Sequence, residues 1–350
     1  MRKWLIIQFK QIGDVILTTH LPREIKKLFP NAEIDFLTFD MNRPLLTHNQ
    51  NINNVISVTD NGSITDTISS VYKIRKNRYD VIIDTQNTPR SIYYVIFSGA
   101  KYKVGYDKSS RKSCYSTIVS GSAPYAGLIK LNMLQPFDES FDLAKYDCRP
   151  EVFFTDSDMH SMTEKVESVG LDITKPFVTI SPTHKKDTRR WRFSHFMDTA
   201  CWIANEYGLQ VLLTYGPGEK DYIDDNLNDY KEDVAVSDKI IVAPQFSMTE
   251  FAALLSKASV HIGNDSAPHH LAVSQKTPTF IIVGSTSAGW IHPDKIHTYI
   301  NLGMDCQPCG KSTCRISEEI PCLKDLTFDM IKCDLEKFLT DNKMELANAE

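Results

Sequence analysis

Nowhere in the 350 residues does an apolar run approach the roughly 18 residues needed to cross a bilayer. The longest runs, residues 93–97 and 279–283, have the length of buried strands. The opening stretch MRKWLIIQFKQIGD holds only four consecutive apolar residues, Trp4 to Ile7, too few for the core of a signal peptide. A cytoplasmic protein is therefore expected. With 15 Gly and 16 Pro, collagen-like and low-complexity chains are excluded. No GxGxxG follows a strand pattern, no Walker A sequence occurs, and no DxD-like pair sits in a loop suited to a metal. Strong charge of one sign is also missing: the formal net charge is -5 and the isoelectric point about 6.1, which argues against a dedicated nucleic-acid binder. That balance hides an asymmetry. Residues 1–150 carry 20 basic and 14 acidic side chains, whereas residues 151–350 carry 19 and 30. A basic first half suits an anionic partner, although ordinary scatter gives the same numbers.

What is present is alternation. Strand-like runs at 3–9, 34–39, 55–58, 81–83 and from 103 to 106 are interleaved with helical patterns at 15–29, 64–76 and 91–98. After a less regular stretch the alternation resumes. Strands are expected at 177–180, 210–215, 240–242, 260–263 and 279–283, with helices at 195–207, at 248–256, from near Pro268, and at 327–339. Strands separated by helices imply parallel sheets with right-handed crossovers. The expected class is α/β with two Rossmann-like domains: 1–172, then 173–325, with 326–350 a C-terminal helix and tail and the boundary near 170–176. Ligands of such sheets bind beyond the carboxyl ends of the strands, so the cleft between the domains is the expected site.

Four stretches occupy such positions. Lys10-Gln11-Ile12-Gly13-Asp14 follows the first strand and opens a helix, whose dipole favours an ionised Asp14. From position alone this is as readily a plain cap. Residues 181–192, SPTHKKDTRRWR, place five cations within eight residues of an otherwise acidic half, either a solvated loop or a diphosphate site using arginine forks. Gly216-Pro217-Gly218-Glu219 puts a carboxylate beyond a turn, where it could accept from ribose hydroxyls or merely open a helix. Residues 262–272, IGNDSAPHHLA, combine small residues after a strand with Pro268 at a helix start, an arrangement that exposes N–H groups to an anion. Asp265 there could hold sugar hydroxyls, and His270 could equally be structural.

Taken in order, these stretches carry a resemblance. I12-G-D-V-I-L-T-T-H-L-P-R, F29-P-N-A-E-I, D80-V-I-I-D-T-Q, R189-R-W, G216-P-G-E and N264-D-S-A-P-H-H-L-A are similar to the ADP-heptose:lipopolysaccharide heptosyltransferases, glycosyltransferase family 9, across roughly residues 3 to 335. The resemblance implies a GT-B fold, an ADP-activated heptose donor, a lipopolysaccharide-core acceptor of the Kdo-lipid A type and inversion at the anomeric carbon. It implies Asp14 as catalytic base and Arg189 and Thr183 on the donor. It further implies Glu219 on the ribose, Phe246 beside the base, Asp265 on the donor sugar, and Ser266, Ala267 and His270 around the diphosphate. Two positions depart from the family: Arg189 stands where Lys is usual, and Ala267 where Gly is frequent. Two other functions on the same fold remain in view, a nucleotide-sugar epimerase and a non-catalytic nucleotide-sugar binding module.

Two further groups complete the expectations. Lys101, Lys103, Lys108, Arg111 and Lys112 lie within twelve residues, with Tyr102, Tyr106 and Tyr115 interleaved. With Arg90, this segment is expected to face an anionic acceptor and the cytoplasmic leaflet of the inner membrane, giving a peripheral protein without an anchor. Its plain alternative is a solvated loop. Among eight cysteines, Cys306, Cys309, Cys314 and Cys322 form C-x2-C-x4-C-x7-C, a spacing able to hold a structural Zn(II) outside catalysis. No cofactor is expected for the reaction itself.

Overall fold

The computed structural model describes residues 2–230 and 238–344. Two compact units divide the chain, Met1–Phe153 and Phe154–Glu350.

In the first unit the strands are β1 (Lys3–Ile7), β2 (Glu33–Phe39), β3 (Asn54–Val58), β4 (Val81–Asp84), β5 (Tyr102–Tyr106) and β6 (Thr117–Val119), ordered β3-β2-β1-β4-β5-β6 and all parallel. Helices α1 (Ile12–Ile16), α2 (Leu21–Leu28), α3 (Pro44–Thr47), α4 (Ile64–Asn77), α5 (Pro89–Phe97) and α6 (Ala126–Leu131) connect or follow them. The central strands are buried on both faces, which is why KWLII and VIID read as continuous apolar runs rather than alternating ones. The single helix expected at 15–29 is two. The chain turns between Leu17 and His20, and Pro22, which cannot donate a backbone hydrogen bond, sits in the first turn of α2. The three-residue β6 was not anticipated; Val119 is its one buried residue.

The second unit opens with α7 (Asp156–Glu167). Its strands β7 (Phe177–Ser181), β8 (Gln210–Leu213), β9 (Ile240–Val242), β10 (Val260–Asn264), β11 (Thr279–Ile282) and β12 (His297–Ile300) are ordered β12-β11-β10-β7-β8-β9, again all parallel. Its other helices are α8 (Phe193–Glu206), α9 (Lys220–Leu227), α10 (Met248–Lys257), α11 (Ala267–Ser274), α12 (Pro321–Lys324) and α13 (Phe328–Asp341). β12 also escaped the sequence pattern, for HTYI has neither a long apolar run nor strict alternation.

The division corrects two expectations. It falls ahead of residues 170–176 because α7 belongs to the second unit. Met162 and Val166 pack with Phe177, Leu212 and Leu254 in one buried cluster. Lys165 pairs with Glu250 at 2.7 Å, and Thr249 donates to Asp158 at 2.7 Å. Residues 326–344 likewise do not stand apart from the second unit, and 345–350 of the expected tail lie outside the described residues. Ile331, Leu335, Phe338 and Leu339 of α13 lie in the core that also holds Trp191, Phe196 and Phe280.

Candidate active site

In the first unit, β1 ends at Ile7 and the chain crosses Gln8–Gln11 before α1 begins. Asp14 is the third residue of that helix. Its Oδ2 accepts from the Gln11 N–H at 3.4 Å, which faces its carboxylate back toward the loop. The other oxygen, Oδ1, lies 3.4 Å from Lys130 Nζ; the Lys130 side chain is 8% exposed and the Asp14 side chain 30%. Lys130, on α6, also donates to Gln8 Oε1 at 2.9 Å. Gln8 in turn accepts from Thr85 Oγ1 at 2.7 Å and donates to Gln86 Oε1 at 2.9 Å. Gln86 Oε1 further receives the N–H groups of Phe9 and Lys10. The ends of β1 and β4 and one buried ammonium thus form a continuous polar network beneath Asp14. Burial lowers the pKa of Lys130, opposed by the nearby carboxylates of Asp14 and Asp84.

Asp84 completes the network's base. Fully buried, it accepts from the backbone of Gln86 and Asn87, from Ser91 Oγ at 2.8 Å and from Tyr115 Oη at 2.7 Å. Desolvation raises its pKa against those hydrogen bonds. It holds the loop after β4 in shape and offers no oxygen outward.

In the second unit the loops after β7, β8 and β10 meet. Thr183 Oγ1 donates to Glu219 Oε2 at 2.6 Å, and that oxygen also accepts from Gly216 N–H at 2.9 Å. Arg189 ends a short 3-10 turn, Asp187–Arg189, and its Nε is buried without a hydrogen bond among the described residues. Asp265 is 5% exposed and makes no hydrogen bond or ion pair among them either. Both act on His184. Burial lowers its pKa first and the Arg189 charge second, while the Asp265 and Glu219 carboxylates oppose them. One cation and two carboxylates, drawn from three separate loops, therefore share one locality.

Asn264 stitches it together. This fully buried amide accepts from Trp191 N–H at 2.9 Å and donates to the carbonyls of Pro182 and Thr183 at 3.2 and 3.3 Å. The loop before Arg189 is thereby tied to the loop carrying Asp265. From the other side, Ser285 N–H donates to Thr188 O at 2.9 Å. Gly284 permits that approach, since a Cβ there would stand 2.4 Å from the Thr188 carbonyl oxygen. Ser266 caps α11 without a side-chain hydrogen bond to it, and Ala267 and Pro268 form its first turn, so the helix start is not filled by its own residues. His270 is buried, with its ring 5.1 Å from that of His269 and 6.2 Å from that of Trp290. Phe246 follows β9, half-buried, with its ring 6.3 Å from Phe251 and Lys165 Nζ 6.0 Å above it.

The basic residues proposed from sequence do not gather. Arg90 lies in the first turn of α5, donates to the carbonyls of Asp60 and Thr59 at 2.5 and 2.7 Å, and lies 5.0 Å from the Phe39 ring centre. Those bonds commit its amino groups to the loop after β3. Arg111 is exposed in the loop after β5. Lys101 and Lys103 sit at the start of the same strand, roughly 10 to 17 Å from its carboxyl end at ~3.3 Å per residue. They are at the opposite end of the parallel sheet from Asp14. The four cysteines do come near one another: burial and then the neighbouring Cys306, Cys314 and Cys309 push the Cys322 thiol up to about 11. Among the described residues no group of His, Cys, Asp or Glu side chains is arranged to hold a metal ion.

Lys130 escaped the sequence reading, and Asn264 stood inside the stretch 262–272 with no role assigned to it. Lys130 left one faint signal, a lone charge within the helical run AGLIKL, whose Ala126, Gly127 and Leu131 are also buried.

Comparison with known proteins gives the family and the fold. Lipopolysaccharide heptosyltransferase 3 of Escherichia coli (strain K12) is 24% identical over 293 residues, covering 78% of this chain and 80% of that one. The crystal structure of the glycosyl transferase family 9 from Veillonella parvula DSM 2008 superposes with a TM-score of 0.81 at 18% identity, over 97% of this chain and 98% of that one. The structure of the Escherichia coli ADP-heptose lps heptosyltransferase II gives 0.76 at 18% identity, over 98% and 100%. Two six-stranded parallel sheets of this kind are the GT-B fold. Glycosyltransferase family 9 (heptosyltransferase) matches residues 69–319, and the chain belongs to that family of glycosyltransferases.

Proposed function

We propose that the protein is an inverting glycosyltransferase that moves a heptose from ADP-heptose to a lipopolysaccharide-core acceptor. Family membership and the names of its relatives support the donor and acceptor class. The observation that supports the reading is that Arg189, Glu219 and Asp265, from three separate loops of the second unit, all lie near enough to His184 to act on its charge, while Arg189 Nε is buried without a hydrogen bond among the described residues. A nucleoside diphosphate sugar needs a cation for its phosphates and acceptors for its hydroxyls, and this locality offers both. In the reading, Glu219 takes the ribose, Asp265 the donor sugar, and Arg189 with the start of α11 the diphosphate. Thr183 orients Glu219 through their 2.6 Å hydrogen bond. Phe246, Ser266, Ala267 and His270 line the same donor region.

Asp14 lies ahead of the segment matched to the family, so its role rests on its own surroundings. It takes the proton of an acceptor hydroxyl as that oxygen forms a bond to C1. The C1–oxygen bond to ADP breaks on the other side and its electron pair leaves with the diphosphate. The charge developing there is met by Arg189 and the N–H groups of α11. Lys130 supplies the countercharge that holds the Asp14 carboxylate in place. The acceptor's lipid anchor implies peripheral contact with the cytoplasmic face of a membrane, and Arg111 remains a candidate for acceptor anions.

ADP release measured with and without a core-oligosaccharide acceptor, together with the mass of the extended acceptor, tests the reading. Release only with acceptor, and a mass increase of one heptose, is expected. Release without acceptor, or sugar isomerisation without transfer, returns the protein to the epimerase reading, and donor binding with no turnover makes it a binding module.

A further inference from the structure

Helices α4 and α5 each bury one side against the first sheet. Ile74, Ile92, Tyr94 and Val95 join the cluster that also holds Leu5, Ile7 and Ile82. Their outer sides should then be polar, yet each also exposes large apolar side chains, among polar ones on α4. Ile68 is 62% exposed, Tyr72 68%, Tyr93 52%, Ile96 41% and Phe97 53%. On α4 the pair is spaced i, i+4; on α5 the three are spaced i, i+3, i+4, so each set forms a stripe. The two stripes adjoin, because Arg75 of α4 donates to the carbonyl of Phe97 at 3.5 Å.

Cations frame this surface. Lys103 Nζ reaches the carbonyl of Ile96 at 3.3 Å. Tyr72, Arg75, Lys76, Arg78 and Lys101 line one depression of about 820 Å³. Its only carboxylate is Asp80, which accepts from the backbone N–H groups of Arg2 and Lys3. Asp66 is the sole acid on the two helices and is consumed in capping α4 through Ser63. Exposed aromatic and aliphatic side chains bordered by unopposed cations match the boundary of an anionic bilayer, where aromatic rings seat at the headgroups and Lys and Arg meet lipid phosphates. A second copy of the chain fits poorly: a two-fold interface through this face would set the same cations against each other.

We propose that the outer face of α4 and α5, with Lys101 and Lys103, docks the protein on an anionic lipid surface. It rests on the transfer reading only for its purpose, delivery of the enzyme to a lipid-borne acceptor. It also gives Lys101 and Lys103 a role that their distance from Asp14 denies them in the reaction. Six residues of patch and rim, far from the strand ends that carry the chemistry, can be changed without touching the base or the donor loops.

Sedimentation of the full chain with vesicles tests this. Vesicles of phosphatidylglycerol with phosphatidylethanolamine should bind it, and vesicles of phosphatidylcholine should not. A variant carrying Tyr72→Ser, Tyr93→Ser and Phe97→Ser should lose about tenfold or more of its partitioning, and Lys76→Gln with Lys101→Gln and Lys103→Gln a comparable factor at low salt, shrinking as salt is raised. Ile316→Ser with Met330→Ser, which removes exposed apolar side chains of the second unit, should change nothing. Unaltered partitioning of both triple variants would overturn the proposal. So would failure of the wild type to bind anionic vesicles, or a dimer in sedimentation velocity that the aromatic variant abolishes. Transfer to a water-soluble acceptor by the aromatic variant separates the two readings: it should match the wild type, and its absence from both proteins would count against the reaction while leaving the vesicle result standing.

Discussion

At the carboxyl ends of their sheets the two units treat polar groups in opposite ways. In the first, Gln8, Thr85, Gln86, Asp84 and Lys130 spend their hydrogen bonds on one another, and one carboxylate, Asp14, is left partly exposed above them. In the second, the scaffold residue Asn264 is saturated, while Arg189 Nε and the nearly buried Asp265 find no hydrogen bond among the described residues. A buried polar atom without a partner costs stability. Arg189 Nε is such an atom, and with the unbonded Asp265 beside the same loops it leaves polar groups that a ligand could complete, although the first unit also holds buried unbonded atoms past its strand ends, at Asn42 Oδ1 and Arg90 Nε. The first unit aims a single charge; the second keeps binding capacity in reserve.

The sharpest test of that contrast is Asp14→Asn, which keeps shape and removes basicity. Transfer should fall ~10²- to 10⁴-fold while ADP affinity, measured by calorimetry, stays near wild type. Turnover within a few fold of wild type would remove Asp14 as the base. Arg189→Ala should do the reverse, weakening ADP roughly 10- to 100-fold through loss of charge-assisted hydrogen bonds. Arg189→Lys should restore part of that, and full restoration would show that the guanidinium geometry is immaterial here. Asn264→Ala should act between these, lowering donor affinity and melting temperature together, because it releases one loop from another.

A smaller effect concerns Lys130. Its pKa is lowered chiefly by burial, so the ammonium is present at low pH and is lost as pH rises through a value below that of an exposed lysine. Turnover should therefore decline on the alkaline side, and Lys130→Arg, which stays charged, should move that decline to higher pH. A profile identical in the two proteins would leave Lys130 with no part in positioning Asp14. Least pronounced is the acid response of the fold. Burial lowers His20 and His261 to about 3 and lowers His269 well below its usual value. Each is neutral when folded and takes a proton more readily when unfolded, so stability is complete above about 6.5 and declines as pH falls toward 3. Two of these histidines belong to the second unit and one to the first. The second should open first on acidification, as hydrogen exchange would report.

Much of the fold was legible because long parallel strands, buried on both faces, must be apolar throughout. The strands that escaped, β6 and β12, are short or mixed in character. The domain boundary was misplaced for a related reason. Nothing local in DSDMHSMTEKVE says which core its Met162 and Val166 enter, and contacts with Leu254 and Phe177 decide it. In the site, Asp14, Glu219 and Asp265 announced themselves as acids just past strand ends. The basic segment 101–112 misled: Lys101 and Lys103 stand at the start of β5, away from the strand ends that the acceptor reading needs, and Arg111 stands in the loop after it.

The sequence by itself determined the alternation of strands and helices, the two parallel sheets, and the kinds of residue that stand where strands end. These follow from periodicity, from the limits on Pro and Gly, and from the need of apolar runs to leave water. Only the tertiary structure decided which of those residues meet. Lys130 lies 116 positions from Asp14 and 3.4 Å from its carboxylate, and Asn264 joins loops more than 70 residues apart. Such contacts are set by how the sheets twist and the helices pack, and the strength of an electrostatic or hydrogen-bonding partner depends on separation in space and on burial rather than on separation along the chain.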